Sequence, residues 1–331
     1  MRDFAARLEL ALSGFLAERR AQATAIDGRL ERLLDELESA LDAGGKRLRP
    51  QLAAWGYRAG GRDVDDAMVN AAAALELLHT FALIQDDVMD QSTTRRGRPA
   101  AHVSLAGAAE LAPKRFGQSA AILLGDLALI WADQLLAGSG FPPDRLARGL
   151  AVYHELRTEV TLGQYLDVLA GHSRRVTEEE ALTVNHYKTA SYTVQRPIQL
   201  GLALAGAPES LVEAVSGYAV PAGIAFQLRD DVLGAFGDPE VTGKPSGQDL
   251  LERKPTWLWA RTTTLCPGAA AVTDVALLRQ LMVQTGALGE AEGKIRRLVQ
   301  EALAAARALP VAEELVCELV GLTERLVWRR S

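Results

Sequence analysis

Cysteine is scarce: Cys266 and Cys317 are the only two in 331 residues. They are too few for a disulfide scaffold and lack the spacing of a metal site, so a reducing compartment is the default reading. Surplus basic charge is missing as well. The 36 Lys and Arg are outnumbered by 42 Asp and Glu, for a net charge of −6, which argues against a general nucleic-acid binder. Phosphorylated small molecules stay open, because local basic clusters can hold them. There is no run of alternating β-branched residues, no low-complexity linker and no fixed-period repeat. Residues 71–84 and 120–132, the most apolar stretches, fall short of the roughly 20 residues a bilayer requires. Glu76, His79 and Asp126 also interrupt them. Arg2, Asp3, Arg7 and Glu9 are out of place in a secretory apolar core. These absences predict a soluble, cytoplasmic protein with no membrane span and no nucleic-acid partner.

What is present is helix. Hydrophobic residues make up 48% and charged residues 24%, ordinary globular usage, and the strong helix formers Ala, Leu, Glu and Arg dominate. Leu8, Leu12 and Phe15, then Leu30, Leu33, Leu34, Leu37 and Leu41, recur at helical spacing until Gly44-Gly45 breaks the pattern. Pro50 then fits the first turn of a following helix. A broad apolar stripe predicts a long buried helix over 66–89, followed by a basic polar loop over 92–99. Further helices are predicted at 118–136, 143–169, 178–204 and 209–233. A second polar loop spans 237–248, and breaks fall near Pro267, Gly286 and Pro310. With no linker to divide it, residues 1–331 read as one all-α domain, a large antiparallel helical bundle.

Asp86-Asp87-Val88-Met89-Asp90 ends the long apolar helix. Residues i and i+4 share a helix face, so Asp86 and Asp90 project side by side. Two carboxylates that close repel each other, and a hard cation such as Mg²⁺ offsets the repulsion with the help of substrate phosphates. A solvated acidic helix end is the plain alternative. The apolar run before the motif and Arg95-Arg96 after it favour a metal–phosphate site, with guanidinium forks opposite the metal. A second acid pair, Asp230-Asp231, follows Phe226-Gln227 at the end of another apolar helix and precedes a Gly/Pro loop carrying Lys244. Two such helices facing each other would clamp a polyanion. A third element, Gly44-Gly45-Lys46-Arg47-Leu48-Arg49-Pro50, combines glycines that allow close backbone approach with a helix start that favours anions. It implies a second anionic ligand, bound without a metal.

Together these residues resemble the trans-isoprenyl diphosphate synthases, the polyprenyl synthetase family. GGKRLRP, LLHTFALIQDDVMD with RRGRP, GQYLD, KTA around Lys188, FQLRDD and FGDPEVTGKPSGQDL stand in that family's order over most of the chain. The likeness is greatest to short-chain bacterial geranylgeranyl or farnesyl diphosphate synthases. It implies an all-α bundle around a deep central cavity, acting as a homodimer on isoprenyl diphosphates, with about three Mg²⁺ ions beside the allylic substrate. By the same resemblance Asp86, Asp87, Asp90, Asp230 and Asp231 hold the metal. Arg95, Gln164, Lys188, Thr189, Gln227, Lys244 and Lys254 serve the allylic diphosphate or the reacting carbons beside it. Gly45, Lys46, Arg49, His79 and Arg96 form the isopentenyl diphosphate site. Read without the resemblance, His79 is a core histidine, Lys188 a surface lysine and Gln164 a packing amide.

Three departures from the family pattern stand out. Gly234 replaces the last acid of the second motif, Gln85 replaces a histidine often found before the first, and Arg253 replaces the glycine usually preceding the lysine matched by Lys254. The expected reaction ionises dimethylallyl, geranyl or farnesyl diphosphate, with Asp86, Asp87, Asp90, Arg95, Lys188, Asp230 and Lys244 as its machinery. The double bond of isopentenyl diphosphate attacks the resulting cation. Ala82 shares the Asp86 face and leaves room for a growing chain. The resemblance makes Phe81 its floor, which favours the C20 product, geranylgeranyl diphosphate. Farnesyl diphosphate or a longer product is the alternative, as are a terpene cyclase and a non-catalytic subunit of a heteromeric synthase. A cyclase needs only one diphosphate site, against which Lys46 and Arg49 speak.

Overall fold

The computed structural model describes residues 2–237 and 247–328. They are almost wholly helical, as predicted, and the chain divides into two compact units, residues 1–150 and 151–331.

In the first unit the helices are α1 (Arg2–Ile26), α2 (Glu31–Asp42), α3 (Leu48–Ala59), α4 (Asp66–Met89), α5 (Ala101–Ala106) and α6 (Pro113–Ala137). Asp65 starts α4 by accepting a hydrogen bond from the Met68 amide, a cap worth about 1 kcal/mol. The run Ala71, Ala72, Ala73, Ala74 is fully buried. Side chains this small let neighbouring helices approach, and α4 packs most extensively on α6. Glu76 is buried in the same helix but not alone. Arg47 Nη1 lies 2.6 Å from Glu76 Oε2, and its Nε lies 3.0 Å from Glu9 Oε1, so one guanidinium ties α1 and α4 to the start of α3. Removing it would strand a buried carboxylate, at a cost of about 3 kcal/mol.

The loop predicted over 92–99 contains a minimal hairpin, β1 (Thr94–Arg95) paired with β2 (Arg98–Pro99), with Arg95 opposite Arg98. Its two turn residues, Arg96 and Gly97, have φ of +51° and +76°, the left-handed geometry that two-residue hairpins demand. Strands of two residues are too short for an alternating pattern to reveal them.

The expectation of no membrane-length helix needs correction. Asp66–Met89, Pro113–Ala137 and Glu209–Phe236 are long and apolar enough to cross a membrane by length and composition. The stretches 71–84 and 120–132 are shorter pieces of the first two, and lone charges such as Glu76 and Asp126 do not end a helix. In α4 the apolar window is 67% buried inside the protein, which gives its hydropathy a core-forming use.

α7 (Pro143–Gly171) runs across residue 150. The second unit continues with α8 (Glu178–Val184), a π-helix over Asn185–Gln195, α9 (Arg196–Ala205), α10 (Glu209–Ala214) and α11 (Ser216–Phe236). After the gap in description come Gln248–Leu251, Trp257–Leu265, Val275–Gln284, Ala287–Ala308 and Glu313–Val327. The single helix predicted over 178–204 is thus three segments. Thr177 and Glu180 open it with a reciprocal capping box. Two neighbouring helices approach its π-helical middle closely through glycines. A Cβ at Gly163 in α7 would lie 2.7 Å from the Lys188 nitrogen, and one at Gly223 in α11 would lie 2.4 Å from Ala190 Cα. Leu228 and Val232 of α11 join Trp257, Leu278, Met282, Ile295 and Val299 in this unit's core.

Candidate active site

The acids of the first motif sit on the last turn of α4. The Asp90 amide still donates to the Asp86 carbonyl at 2.8 Å, so helical geometry persists through Asp90 and the predicted shared face of Asp86 and Asp90 is present. Asp90 is exposed, Asp86 half-buried and Asp87 buried. Arg95 reaches back from β1 to the inner pair. Its Nε and Nη2 donate to Asp87 Oδ1 at 2.9 and 2.5 Å, and Nη2 also donates to Asp86 Oδ2 at 3.0 Å. Burial pushes the Asp87 pKa up against the pull of Arg95. Burial also works against the Arg95 charge, but the two carboxylates outweigh it and raise its pKa. Asp87 therefore turns inward and anchors the arginine, while Asp86 and Asp90 form the outer pair.

A basic cluster adjoins these acids. Burial lowers the His79 pKa well below its ordinary value, and the charges of Arg49, Arg96, Arg95 and Arg47 lower it further. The residue as a whole is half-buried. Arg96 is pushed down first by burial; Glu76 opposes this, while Arg95, Arg47 and Arg49 add to it. Positive charge is concentrated here beyond what Glu76 offsets. Gly44 and Arg47 are left-handed, with φ of +84° and +44°, which turns the chain sharply into α3. A Cβ on Gly45 would lie 3.3 Å from the Arg96 guanidinium. The glycine pair thus serves both purposes expected of it, a tight turn and a close approach. Lys46 is fixed at its backbone, where its carbonyl accepts from Gln51 Nε2 at 2.6 Å. Gly45, Arg49, His79 and Arg96 come together as predicted, with Lys46 next in the chain.

Gln85 points to a different job. Its Nε2 donates to the Ile122 carbonyl at 3.2 Å and to Asp126 Oδ1 at 3.3 Å, and a Cβ on Gly125 would lie 2.7 Å from it. The histidine-to-glutamine departure therefore falls on the α4–α6 contact. Phe81 and Ala82 are both half-buried, so Phe81 is not part of the sealed core.

The second unit gathers its own polar set. Lys188 Nζ contacts Asp167 Oδ2 at 2.5 Å. Thr189 Oγ1 donates to Gln227 Oε1 at 2.7 Å, and Gln227 Nε2 donates to Asp231 Oδ1 at 2.8 Å. Gln164, half-buried, directly follows the Gly163 approach to Lys188. Asp230 is half-buried, whereas Asp231 is 7% exposed. Burial pushes the Asp231 pKa up to about 7; Gln227 and Asn185 restrain the rise, and the charges of Asp249 and Asp167 add to it. Asn185 lies beside Asp231, yet neither Asn185 Nδ2 nor Asp231 Oδ2 closes a hydrogen bond of normal geometry. Lys254 Nζ lies 3.2 Å from Asp249 Oδ1. Arg253 before it has φ +52°, which explains why a glycine suits that position. Lys244 lies outside the described residues.

Several contributors were not singled out from sequence. Arg47 neutralises Glu76, His102 is close enough to Asp87 for their charges to interact, and Asp249 and Asn185 flank Asp231. Asp249 was visible only as part of the SGQDL string. Among the described residues, no three His, Cys, Asp or Glu side chains form a ready-made metal cage. The outer carboxylates and the unsatisfied Asp231 oxygen are hard donors in pairs. Such a set suits Mg²⁺, which takes its remaining ligands from phosphate and water.

An almost wholly helical chain with aspartates ending two apolar helices, and a separate basic cluster beside the first, has the charges an enzyme acting on diphosphates needs. The polyprenyl synthetase family model matches residues 30–282, and the chain belongs to that family. It is a short-chain trans-prenyltransferase. A geranylgeranyl pyrophosphate synthase from Corynebacterium glutamicum, solved with isoprenyl diphosphate and magnesium, superposes with a TM-score of 0.93 at 35% identity, covering 99% of each chain. The fold is accordingly that of the isoprenoid synthases. Geranylfarnesyl diphosphate synthase of Aeropyrum pernix is 32% identical over 295 residues, 85% of this chain and 89% of its own. Geranylgeranyl diphosphate synthase of Methanosarcina mazei is 37% identical over 228 residues, 69% of this chain and 66% of its own.

Proposed function

We propose that this prenyltransferase uses Mg²⁺ to join isopentenyl diphosphate to an allylic diphosphate, with geranylgeranyl diphosphate as the main product. The observation that carries the reading is the pair of distinct anion-handling sites within the first unit. One is the outer acids Asp86 and Asp90 with Arg95; the other is the basic set Gly45, Lys46, Arg49, His79 and Arg96. Two sites suit two diphosphate substrates.

In this reading Asp86 and Asp90, together with Asp230 and Asp231, hold Mg²⁺, about three ions in all with the allylic diphosphate. Bound there, Mg²⁺ neutralises diphosphate charge and acts as a Lewis acid toward the leaving group. Arg95 and Lys188 donate to the same diphosphate as its carbon–oxygen bond breaks, where fixed donors matter most. Thr189, Gln227, Lys254 and Lys244 complete its cradle, and Asp87 keeps Arg95 aimed. Lys46, Arg49 and Arg96 orient isopentenyl diphosphate, with neutral His79 adding a hydrogen bond. Its double bond forms the new carbon–carbon bond, and a proton leaves to the departed pyrophosphate. Gln164 lies beside the reacting carbons.

Ala82 lies one helical turn before Asp86, about 6 Å along the axis, and offers little bulk. Phe81 is half-buried where a simple core residue would be sealed, which supports it as the floor of the product site. Incubation of the purified protein with Mg²⁺, isopentenyl diphosphate and each allylic starter, followed by product analysis, tests the reading. C20 is expected, and no chain extension with any starter would overturn it. Phe81→Ala should shift the products to longer chains; an unchanged distribution at retained activity would remove Phe81 as the floor.

The chain is also proposed to act in the cytoplasm as a homodimer, each protomer a single domain through which α7 runs unbroken. Phe116, Ile122, Leu123 and Ile130 leave an exposed apolar strip on α6, a face suited to a second copy. Light scattering should return twice the mass of the chain; a monomer would refute the assembly.

A further inference from the structure

Lys188 and Thr189 stand on a kind of helix that rarely runs beyond a single turn, yet here it runs for 11 residues. Helix α7 lies along one side of it. Glu159, Gly163 and Asp167 are spaced four residues apart and so share one face of α7, over about 12 Å of its axis. Asp167 meets the Lys188 ammonium at 2.5 Å. At Gly163 the backbones come so close that a Cβ would lie 2.7 Å from the Lys188 nitrogen and 3.0 Å from the Tyr187 carbonyl carbon. Glu159 takes the later part of the segment. Its Oε2 accepts from Ser191 Oγ and from Arg196 Nε, the latter at 2.9 Å, and its Oε1 accepts from Arg196 Nη2 at 2.5 Å. One carboxylate thus ties a buried hydroxyl inside the π-helix, and a guanidinium just past its end, to α7. We propose that Glu159 is a positioning residue of the transfer reaction: it clamps the π-helix on α7 and thereby aims Lys188 at the allylic diphosphate.

The clamp is more than a loose surface pair. Arg196 also donates to Gln199 Oε1 at 2.9 Å and meets Glu155 Oε2 at 2.7 Å. Gln199 is buried and donates in turn to the Val212 carbonyl at 3.0 Å. Burial works against the Glu159 charge, but Arg196 and Ser191 outweigh it and hold the pKa below its ordinary value, so the carboxylate stays ionised at neutral pH. Lysine carries a compact charge on a flexible stem. Where the Lys188 ammonium points is therefore set by how its backbone is held and by Asp167, which competes for it. Ser191 lies three residues beyond Lys188 in the same helix, so a shift at the clamp carries Lys188 with it. A displacement of about 1 Å in a reacting assembly can cost about a hundredfold in rate.

The proposal rests on the reading of Lys188 as an allylic diphosphate ligand, and the experiment separates the two. Geranyl diphosphate with Mg²⁺ is titrated into the full-length protein by calorimetry. Steady-state KM values are measured for both substrates, well below each variant's melting temperature. Lys188→Ala should weaken geranyl diphosphate binding about tenfold or more. Glu159→Gln should weaken it about fivefold and leave KM for isopentenyl diphosphate unchanged. In the Lys188→Ala background the same change should add about twofold at most. Full additivity, or an equal rise in both KM values, would overturn the proposal, because a general loosening of the fold does not depend on Lys188. If Lys188→Ala weakens binding and Glu159→Gln does not, the clamp is refuted while the ligand reading stands. If Lys188→Ala binds normally, that reading falls, and this inference with it. Should Glu159→Gln fail to fold, Ser191→Ala removes one fastening and keeps the Arg196–Glu159 pair; the same cycle then decides, coupling to Lys188 supporting the clamp and additivity refuting it.

Discussion

At the end of α4 Asp86 and Asp87 meet a guanidinium from their own unit; at the end of α11 Asp231 meets amides and further aspartates. Arg95 bonds both Asp86 and Asp87, so the first cluster is largely satisfied before any ligand arrives. Asp231 accepts from Gln227 at one oxygen and has Asn185 beside it without a bond of normal geometry at Oδ2, with Asp249 and Asp167 nearby. Preorganised charge and stored repulsion have different consequences. The first cluster should stay in place without metal, whereas the second should depend on the cation to relieve it.

The largest effect should come from the outer acids. Asp86→Ala is expected to cut turnover by about three orders of magnitude, the range seen when a principal electrostatic group is lost. Circular dichroism should show the fold intact, and near-normal activity would dissolve the distinction between outer and inner acids. The comparison itself is tested by a pair of variants melted in EDTA. Arg95→Ala leaves Asp87 buried without its cation and should destabilise the protein by about 3 kcal/mol. Asp231→Asn removes an unmatched charge and should stabilise the metal-free protein by about 1 kcal/mol. Changes of the same sign in both would show that the two clusters do not differ as described.

A smaller gain is expected in the lysine arm of the second cluster. Arg253 holds a left-handed backbone, and Arg253→Gly should relieve about 1 kcal/mol of strain, read as a higher melting temperature. The smallest effect concerns the basic neighbour of the first cluster. Folding lowers the His79 pKa from about 6.5, so the unfolded chain binds the proton more readily. Its contribution to stability is full above that ordinary value and is lost as pH falls below it. His79→Asn should flatten the decline of melting temperature on the acid side, and an unchanged decline would show that other groups set it.

Much of this was legible in the chain. The i, i+4 spacing of Asp86 and Asp90 needed only helical geometry, and Gly44-Gly45 announced a turn whose left-handed Gly44 any other residue would strain. Gathering His79 with Arg49 and Arg96 required the resemblance, since nothing in local spacing joins residues from three separate elements. Other features left no local trace. An i→i+5 helix has no signature in a pattern read at 3.6 residues per turn, so 185–195 passed for plain α. Gln85 looked like a change at the active site, because its Gly125 partner lies on another helix. Gly234 likewise gave no hint that the Asp249 carboxylate of a later helix lies where its side chain would stand.

The π-helix makes segment length, as well as residue identity, a property of this enzyme. Each of its hydrogen bonds spans one residue more than an α-helical bond, so the chain leaves it out of phase with an uninterrupted α-helix. In its first half Lys188 meets Asp167 and Thr189 meets Gln227; just past its end Arg196 meets Glu155 and Glu159. Deleting one residue between them would turn one side against the other by about 100°. Either the diphosphate arm or the arginine anchor would then lose its partners, although every side chain involved was still in the sequence.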